Sequence, residues 1–418
     1  MKARMVSRLE STQPYYEFFN MLVEIHRRRG RTLPAMRSLP ALLIGGALLF
    51  GSTSVRAADV TWEHWRPIPG VFDVGGPRNG FLVVAGSAAL YLIHPEGEVA
   101  TFARGSGGYH DDPGAEAYLA VSPGGHVAAS DCDFVRDETF ILRLHAPLGV
   151  TRVDAAGVNS GAFATVTGVT SLNGIAFDTT GAFDHRLLVS GSAGGKIVIA
   201  AIDCKGVAQV ITSAAPTLEG GLAVAPRGFG AFGGDLIAPD ELSGRIFAIA
   251  PDGKVTVVAQ PPLPAGGDIG VEGVGFVPPG FMTAPGGAVY FADRMTPGSP
   301  HLGSDSVLRL PSADLAAAGV QDGDMLVATE GGATMVAVRC AASCTVIPVV
   351  ATPTAAHGEG HLVFTFTPAA SPAPSPSPRV ATPQPTGLDK RSNPVFTIVA
   401  VVLVISAAAL LLLRRRSG

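Results

Sequence analysis

A short motif recurs along the chain: an acidic residue or an asparagine, then a small residue, then an apolar run. Its copies begin at Glu116, Asn173, Glu219, Glu272 and Glu359. Successive copies lie 57, 46, 53 and 87 residues apart, so the last interval is about two repeats long. Periods of roughly 40–50 residues with several short strands per unit are typical of a β-propeller. The sequence therefore predicts an all-β propeller in which nearly every blade begins its inner strand with a polar side chain.

Turn residues divide these copies into units of four short strands. In the clearest unit, 219–259, apolar runs are separated by Gly, Pro and Asp, which favour turns. The same pattern follows Asn173 and Glu116, and 127–130 is predicted as the second strand of the Glu116 unit. We expect six blades within residues 58–367, although five or seven would also fit the spacing.

The two ends of this region each lack part of a blade. Segment 81–102 provides three strands without an inner strand, and 359–366 is an inner strand with no blade after it. Pairing the two would close the ring and remove exposed sheet edges. A further unit, 324–350, has an inner strand that the sequence does not place. Residues 295–323 are predicted to be a loop with a short helical piece near 314–318.

Residues 1–57 have the features of a leader. Within 36–57, a basic residue, an apolar stretch and a small-residue cleavage site near Ala57 follow in the order of a secretory signal peptide. An uncleaved anchor is the alternative, but the apolar stretch is short for a membrane span.

The C-terminal residues predict a membrane anchor. Residues 395–413 are uncharged and mostly Val, Ile, Ala and Leu, and the tail 414–418 begins with three arginines. Such a run suits a spanning helix with its basic end in the cytoplasm. The Pro/Ser-rich segment 368–394 predicts an extended stalk, and its Thr-Gly at 386–387 leaves sortase anchoring as an alternative. We expect a single-pass protein of the cell membrane with the propeller on the extracytoplasmic side.

Charge is distributed unevenly along the chain. Between the leader and the C-terminal segments there are about fifteen more acidic than basic residues. Nucleic-acid binding requires the opposite sign and is excluded. An acidic extracellular surface suits hard cations such as Ca²⁺, although solubility alone would also explain it.

The four cysteines are an even number, as expected in an oxidising compartment. Cys340 and Cys344 flank a predicted turn, and we expect a disulfide across that hairpin. Cys132 and Cys204 would form a second bond only if neighbouring units bring them together, and the sequence leaves this open.

The start of each inner strand and the loop between the second and third strands open on one face of a blade. We therefore predict that Glu116, Asn173, Glu219, Glu272 and Glu359 converge on one axial mouth. Carboxylates gathered this closely repel one another unless a cation neutralises them, which favours Ca²⁺ or another divalent ion. The alternative is that individual groups cap loop amides or pair with arginines.

A second group of residues is expected to surround this site. Asp131, Asp240, Glu241 and Asp293 follow predicted second strands, and two histidine-carboxylate clusters, His110-Asp111 and 357–361, begin near inner strands. Imidazoles beside carboxylates serve as general bases or metal ligands. The named members of this outer group are His110, Asp111, Asp131, Asp240, Asp293 and His357.

The segment 172–178, with its Asn-Gly start, and the segment 234–247 resemble two related families: gluconolactonase/regucalcin-like six-bladed propellers and NHL-type propellers. The resemblance covers about residues 79–365. In the gluconolactonase-like enzymes, a Glu at the start of an inner strand joins Asn and Asp on a divalent cation that activates lactone hydrolysis. By that resemblance Asn173 matches the Asn, and which of Glu116, Glu219, Glu272 or Glu359 matches the Glu stays open. The family's Asp-Gly start is not evident on a later inner strand.

Three functions follow as hypotheses. The first is an anchored propeller that binds a small molecule or a surface protein at an acidic mouth. The second is a metal-dependent hydrolase of lactones or related esters. The third is a structural surface protein. The sequence has no Gly-x-Ser-x-Gly elbow, phosphate-binding loop or HExxH, which argues against serine hydrolase, nucleotide and zincin chemistry.

Overall fold

The computed structural model describes residues 60–110, 116–350 and 354–367. These residues form six four-stranded antiparallel sheets and one extra hairpin. The predicted leader, stalk, spanning helix and tail lie outside them. Within the described ranges, no helix is both long enough and apolar enough to cross a membrane.

The first strand belongs to the last blade, and blades 1 to 3 follow it in chain order. This first strand is β1 (Glu63–Pro67). Blade 1 consists, from the inner strand outward, of β2 (Asp73–Arg78), β3 (Phe81–Gly86), β4 (Ala89–Ile93) and β5 (Val99–Phe102). Blade 2 begins with β6 (Leu119–Val121), is interrupted by the hairpin of β7 (Gly125–Val127) and β8 (Cys132–Phe134), and continues with β9 (Thr139–Arg143), β10 (Gly149–Val153) and β11 (Ser160–Thr165). Blade 3 consists of β12 (Ser171–Phe177), β13 (Leu187–Ala193), β14 (Lys196–Ile202) and β15 (Ala208–Ala215).

The chain order changes between blades 5 and 6. Blade 4 consists of β16 (Ala223–Val224), β17 (Leu236–Asp240), β18 (Arg245–Ile249) and β19 (Val255–Ala259). The chain then forms β20 (Val271–Phe276), β21 (Ala288–Asp293), β22 (Ser306–Pro311), α1 (Ser312–Ala317), β23 (Met325–Thr329), β24 (Met335–Cys340), β25 (Cys344–Val350) and β26 (Gly358–Thr365). Blade 5 is β20-β23-β24-β25, and blade 6 is β26-β21-β22-β1, each from the inner strand outward.

The six inner strands form a closed ring, since β2, β6, β12, β16, β20 and β26 each contact the next and β26 contacts β2. The predicted six-bladed propeller is confirmed. Its core is a set of six apolar layers, one between each pair of neighbouring blades. In β13, Leu187 and Val189 face blade 2 while Leu188 faces blade 4. Alternate side chains point to opposite faces of a strand, so strands buried on both faces read as continuous apolar runs.

Ring closure differs from the prediction. The C-terminal strand β26 pairs with β21, with Tyr290 opposite Val363, and not with 81–85. The N-terminal strand β1 is the outer strand of the same blade, paired with β22. Both termini therefore complete one blade, with two strands between them.

Blade 1 has an inner strand of its own, β2. The sequence did not predict this strand, because Gly75-Gly76-Pro77 resembles a turn. A Cβ at Gly75 would meet the end of the Leu119 side chain in the next inner strand, so a larger residue here would require that leucine to move. The inner strand missing from unit 324–350 is β20, separated from its partner β23 by the β21-β22 hairpin and α1. The short helix is confirmed, whereas β22 lies inside the predicted loop.

Both cysteine pairs are bonded. The predicted Cys340–Cys344 bond crosses the β24-β25 hairpin, and Cys132–Cys204 ties the β7-β8 hairpin to blade 3. Asp184 reinforces this second attachment by accepting backbone hydrogen bonds from Ala128 and Ala129 at 3.0 and 2.9 Å.

Candidate functional site

The residues that begin the inner strands meet at one end of the channel. Asn173 and Glu272 each sit where the pairing register shifts by one residue, and such β-bulges re-aim a side chain. Gly220 donates a backbone hydrogen bond to Asn173 at 3.0 Å, and Gly221 donates one to Glu272 at 3.0 Å. Direct backbone contacts between blades 3, 4 and 5 therefore hold these positions close to one another.

The small residue after each acid also has a physical reason. Gly220 and Gly360 adopt φ values of 80° and 71°, which other residues rarely adopt. A side chain at Gly220 would clash with Glu272, and one at Gly360 would clash with Asp73. Glycine follows Glu219 and Glu359 because the chain turns sharply where the inner strands crowd together.

We call this end of the channel the acidic mouth. It comprises Glu116, Asn173, Glu219, Glu241, Glu272, Glu330, Glu359, His357 and Arg294. The five residues predicted as metal ligands all lie at this end, but Glu359 alone of them belongs to the described group whose ligand atoms could hold one ion. Glu241, Glu330 and Arg294 lie here as well.

Tyr118 links the two most deeply buried acids of the predicted set. Its hydroxyl lies 3.0 Å from Glu272 Oε1 and 3.2 Å from Glu359 Oε2. Glu272 also accepts the Gly360 amide at 3.2 Å. Burial, reinforced by the neighbouring Glu359 and Glu330, raises the pKa of Glu272 well above its usual value. Both effects favour the protonated form of Glu272.

Arg294 supplies positive charge at the open side of the mouth. Its guanidinium bonds Glu116 and lies 3.2 Å from Glu359 Oε1, while its carbon centre stands 4.7 Å above the Phe72 ring. The Glu116 side chain is 42% exposed, whereas that of Glu359 is 5% exposed. The mouth thus opens to solvent past Glu116 and Arg294.

The tightest cluster contains His357 between two carboxylates. His357 Nε2 lies 2.8 Å from Glu330 Oε1 and 3.6 Å from Glu359 Oε1. Burial alone would lower the pKa of His357, but hydrogen bonds to Glu330 and Glu359 outweigh it and raise the pKa to about 10. Burial and the neighbouring acids raise the pKa of Glu359 to about 7 despite its bond to His357.

Glu241 and Glu330 form a carboxyl pair beside this cluster. Burial, followed by the hydrogen bond and charge of Glu330, raises the pKa of Glu241 to about 9. Burial also acts to raise the pKa of Glu330, but its bonds to His357 and Glu241 lower it overall. One proton on Glu241 is therefore shared with an ionised Glu330.

Glu219 and Asn173 complete the opposite wall of the mouth. Glu219 is half-buried and hydrogen-bonded to Asn173, and its pKa is raised by burial and by Glu116 and Glu330. Asn173 Oδ1 also accepts hydrogen bonds from Ser192 at 3.0 Å and Ser171 at 3.3 Å.

The predicted outer residues have varied positions. Asp293 is fully buried and holds the start of β26, because its Oδ1 accepts the His357 amide at 2.8 Å. Asp240 binds the Ser243 hydroxyl at 2.5 Å in its own turn. His110 is exposed, with Nε2 at 3.2 Å from Gly105 O. Asp111 lies outside the described residues.

The prediction for Asp131 was wrong. Its side chain is 97% exposed on the β7-β8 hairpin, which packs against the loop between β12 and β13 at the other end of the blades. The segment 127–130 is not the second strand of blade 2, since β9 takes that place.

Glu330 and Tyr118 were missed as site residues. Glu330 follows the second strand of its blade just as Glu241 follows β17, so the same rule would have found it. Tyr118 stands within the first copy of the motif, two residues after Glu116.

The donors present fit a divalent cation. One ligand atom each from Glu330, His357 and Glu359 lie within 4.8 Å of one another, the span expected of atoms around one ion. Glu241 Oε1 is buried without a hydrogen-bond partner among the described residues. A buried oxygen without a donor beside such a cluster is available to a ligand of the mouth.

Comparisons with known proteins give structural likeness only. No family model matches the chain, and no curated protein matches its sequence. Virginiamycin B lyase from Staphylococcus aureus is similar at 12% identity and TM-score 0.38, covering 74% of this chain and 94% of the lyase. A putative gluconolactonase is similar at 11% identity and TM-score 0.40, covering 74% and 90%. A putative oxidoreductase (glucose dehydrogenase) from Thermus thermophilus is similar at 17% identity and TM-score 0.35, covering 60% and 99%. No function follows from likeness at this level.

Proposed function

We propose that this chain is a membrane-anchored, extracytoplasmic binding protein whose acidic mouth holds a divalent cation and, through it, a ligand. The observation that carries the proposal is the cluster of Glu330, His357 and Glu359, with ligand atoms within 4.8 Å of one another. A single cation at this point would contact residues contributed by blades 5 and 6.

Protons on side chains of the acidic mouth supply positive charge that a bound cation would otherwise supply. His357 and Glu241 have pKa values raised to about 10 and about 9 and are protonated at neutral pH, and the pKa of Glu272 is raised as well. A divalent ion would displace such protons, because its ligands bind in their deprotonated forms. An imidazole among carboxylates suits Mn²⁺ or Zn²⁺ better than Ca²⁺, which prefers oxygen ligands alone.

The residues at the open side of the mouth favour a ligand that carries negative charge. Arg294 has a side chain that is 21% exposed and lies beside Glu359. A ligand oxygen with negative charge would be attracted to both the cation and this guanidinium. A small carboxylate-bearing molecule or an acidic side chain of a surface protein meets that requirement.

The extracytoplasmic location is supported by two kinds of observation. The sequence has a signal-peptide pattern in 36–57 and an apolar run in 395–413. All four cysteines are paired in disulfides, which persist in oxidising compartments.

Hydrolysis of a lactone or ester is the second candidate function. A cation held by Glu330, His357 and Glu359 would supply a Lewis acid for such a reaction. The binding role stands first because the sequence departs from the gluconolactonase pattern at the later inner strands.

The experiment starts from full-length protein stripped with chelator. Mn²⁺, Zn²⁺ and Ca²⁺ are titrated while the melting temperature is recorded, and metal content is measured in protein purified without chelator. A bound ion at a hundred times its dissociation constant should stabilise the fold by about 2.7 kcal/mol. Glu330→Gln should abolish the metal-dependent shift.

Glu138→Gln is the matched control. Glu138 is a buried carboxyl that precedes β9, at the end of the blades opposite the mouth. This variant should retain the full metal response. Equal loss in both variants, or no metal response in the parent, would contradict the proposal. A lactone and ester panel with and without chelator decides between binding and hydrolysis.

A further inference from the structure

The other end of the channel holds a separate apolar cavity. Its volume is about 800 Å³, within the range of pockets that bind small molecules. It is lined by the last residues of the inner strands, including Val121, Phe177, Val224, Phe276 and Phe364. These side chains come from five of the six blades, so the cavity is axial.

The cavity and the acidic mouth are separated by a buried pair of rings. The Tyr118 hydroxyl contacts the mouth acids, and its ring meets His361 edge-on with centroids 6.4 Å apart. His361 lines the cavity and is fixed by Asp73 at 2.9 Å and by the Ile175 carbonyl at 2.7 Å. The two ends of the channel are therefore distinct sites.

Charge at this cavity is opposite to that of the rest of the propeller. Its charged lining residues are Arg136 and Arg227, with His361 at the inner end, and no Asp or Glu of the described chain lines it. Both arginines are exposed, and Arg227 Nη2 is hydrogen-bonded to the Thr180 carbonyl at 2.7 Å. Two guanidinium groups at the rim of an apolar cavity stand out in a region with about fifteen excess acids.

We propose that this cavity binds an apolar molecule with an anionic head group, such as a medium-chain carboxylate. The hydrocarbon part would bury apolar surface against the inner-strand side chains. The head group would lie at the rim, where arginine binds carboxylate through paired hydrogen bonds. The proposal is independent of any metal at the mouth.

The test measures decanoate binding to the full-length chain in amphipol by isothermal titration calorimetry. Decylamine and 1-decanol are matched probes with the same chain and a cationic or neutral head. We expect one decanoate per chain, bound about tenfold or more tightly than either matched probe.

Two variants locate the site. Ala223→Phe fills the cavity from a half-buried lining position and should abolish decanoate binding to the protein. Any decanoate still taken up in the sample of this variant measures uptake by the amphipol. Arg136→Glu with Arg227→Glu should weaken decanoate about tenfold or more and favour decylamine. Arg245→Glu, an exposed arginine at the start of β18 and outside the lining, should leave binding unchanged.

Three results would overturn the proposal. They are absence of saturable decanoate binding by the parent, equal binding of 1-decanol, and unchanged binding after reversal of Arg136 and Arg227. If Ala223→Phe does not fold, the arginine variants and the matched probes still decide.

Discussion

Glu241 and Glu330 illustrate how two buried carboxyls coexist at the acidic mouth. A pKa of about 9 keeps a proton on Glu241 in the folded protein, whereas an unfolded chain releases it near 4.5. Between these values the folded state binds more protons than the unfolded state, so this group's contribution to stability falls as pH rises. The cost of burying this acid is therefore greatest in alkaline solution.

Glu241→Gln should relieve this cost. The amide is neutral at every pH and can donate a hydrogen bond to Glu330, as the protonated acid does. We expect the melting temperature at pH 8 to rise by about 2–4 °C and its decline from pH 5 to 9 to flatten. Thermal unfolding across that range measures both. A lower melting temperature at pH 8 with an unchanged slope would show that the two acids do not share a proton.

The two disulfides constrain very different lengths of chain. Cys132–Cys204 spans 72 residues and links a hairpin to another blade, whereas Cys340–Cys344 spans 4 residues within one hairpin. In the chain-entropy account, a longer closed loop restricts the unfolded state more.

Replacing each cysteine pair by serine tests this difference. The loop-length relation gives a loss of about 4 kcal/mol for Cys132/Cys204 and about 2 kcal/mol for Cys340/Cys344. Denaturant unfolding of the two double variants, each the control for the other, measures the losses. A greater loss for the short bridge would contradict the entropic explanation.

Elements that follow the repeat were predictable from sequence, and those that break it were not. The starts of the inner strands at Asn173, Glu219 and Glu272 stand out because each precedes an apolar run. In contrast, β2 carries Gly-Gly-Pro and resembles a turn, although its Gly75 lies against the Leu119 side chain of the next inner strand. The β7-β8 hairpin supplied a false second strand and misplaced Asp131.

The same reasoning explains what was missed at the site. Glu330 follows a second strand and could have been named by the rule that gave Glu241, but its blade could not be assembled from sequence, because the β21-β22 hairpin separates β23 from its inner partner β20 by about 50 residues of chain. Local pattern cannot reveal pairing across such an insertion, because the inserted strands are equally apolar. The pKa values of about 10 for His357 and about 9 for Glu241 depend on these distant pairings and could not be foreseen.

The ring depends on both termini completing blade 6. Deleting 357–367 removes β26, which pairs with β21 and contacts the inner strands β2 and β20. We expect loss of the single cooperative thermal transition and aggregation through the exposed edge of β21.

A deletion outside the ring is the control for this experiment. Removing 126–133 together with Cys204→Ser takes away most of the β7-β8 hairpin and leaves every blade with four strands. This variant should still unfold in one transition. If the protein without β26 melted like the parent, closure through blade 6 would not hold the ring together.

Membrane topology is a separate prediction from the sequence. Protease added to intact cells should release a fragment of propeller size, because the spanning run 395–413 would leave only the tail inside. Protection of the propeller until the membrane is permeabilised would contradict an extracytoplasmic location.

The claim that the acidic mouth binds a divalent cation is tested most directly by anomalous X-ray diffraction from crystals soaked in Mn²⁺. We predict one strong anomalous peak about 2.0–2.3 Å from His357 Nε2 and from carboxylate oxygens of Glu330 and Glu359. The peak should be absent from Glu330→Gln crystals soaked in the same way. A parent crystal with no peak at these three residues, or with peaks only elsewhere on the acidic surface, would contradict the claim.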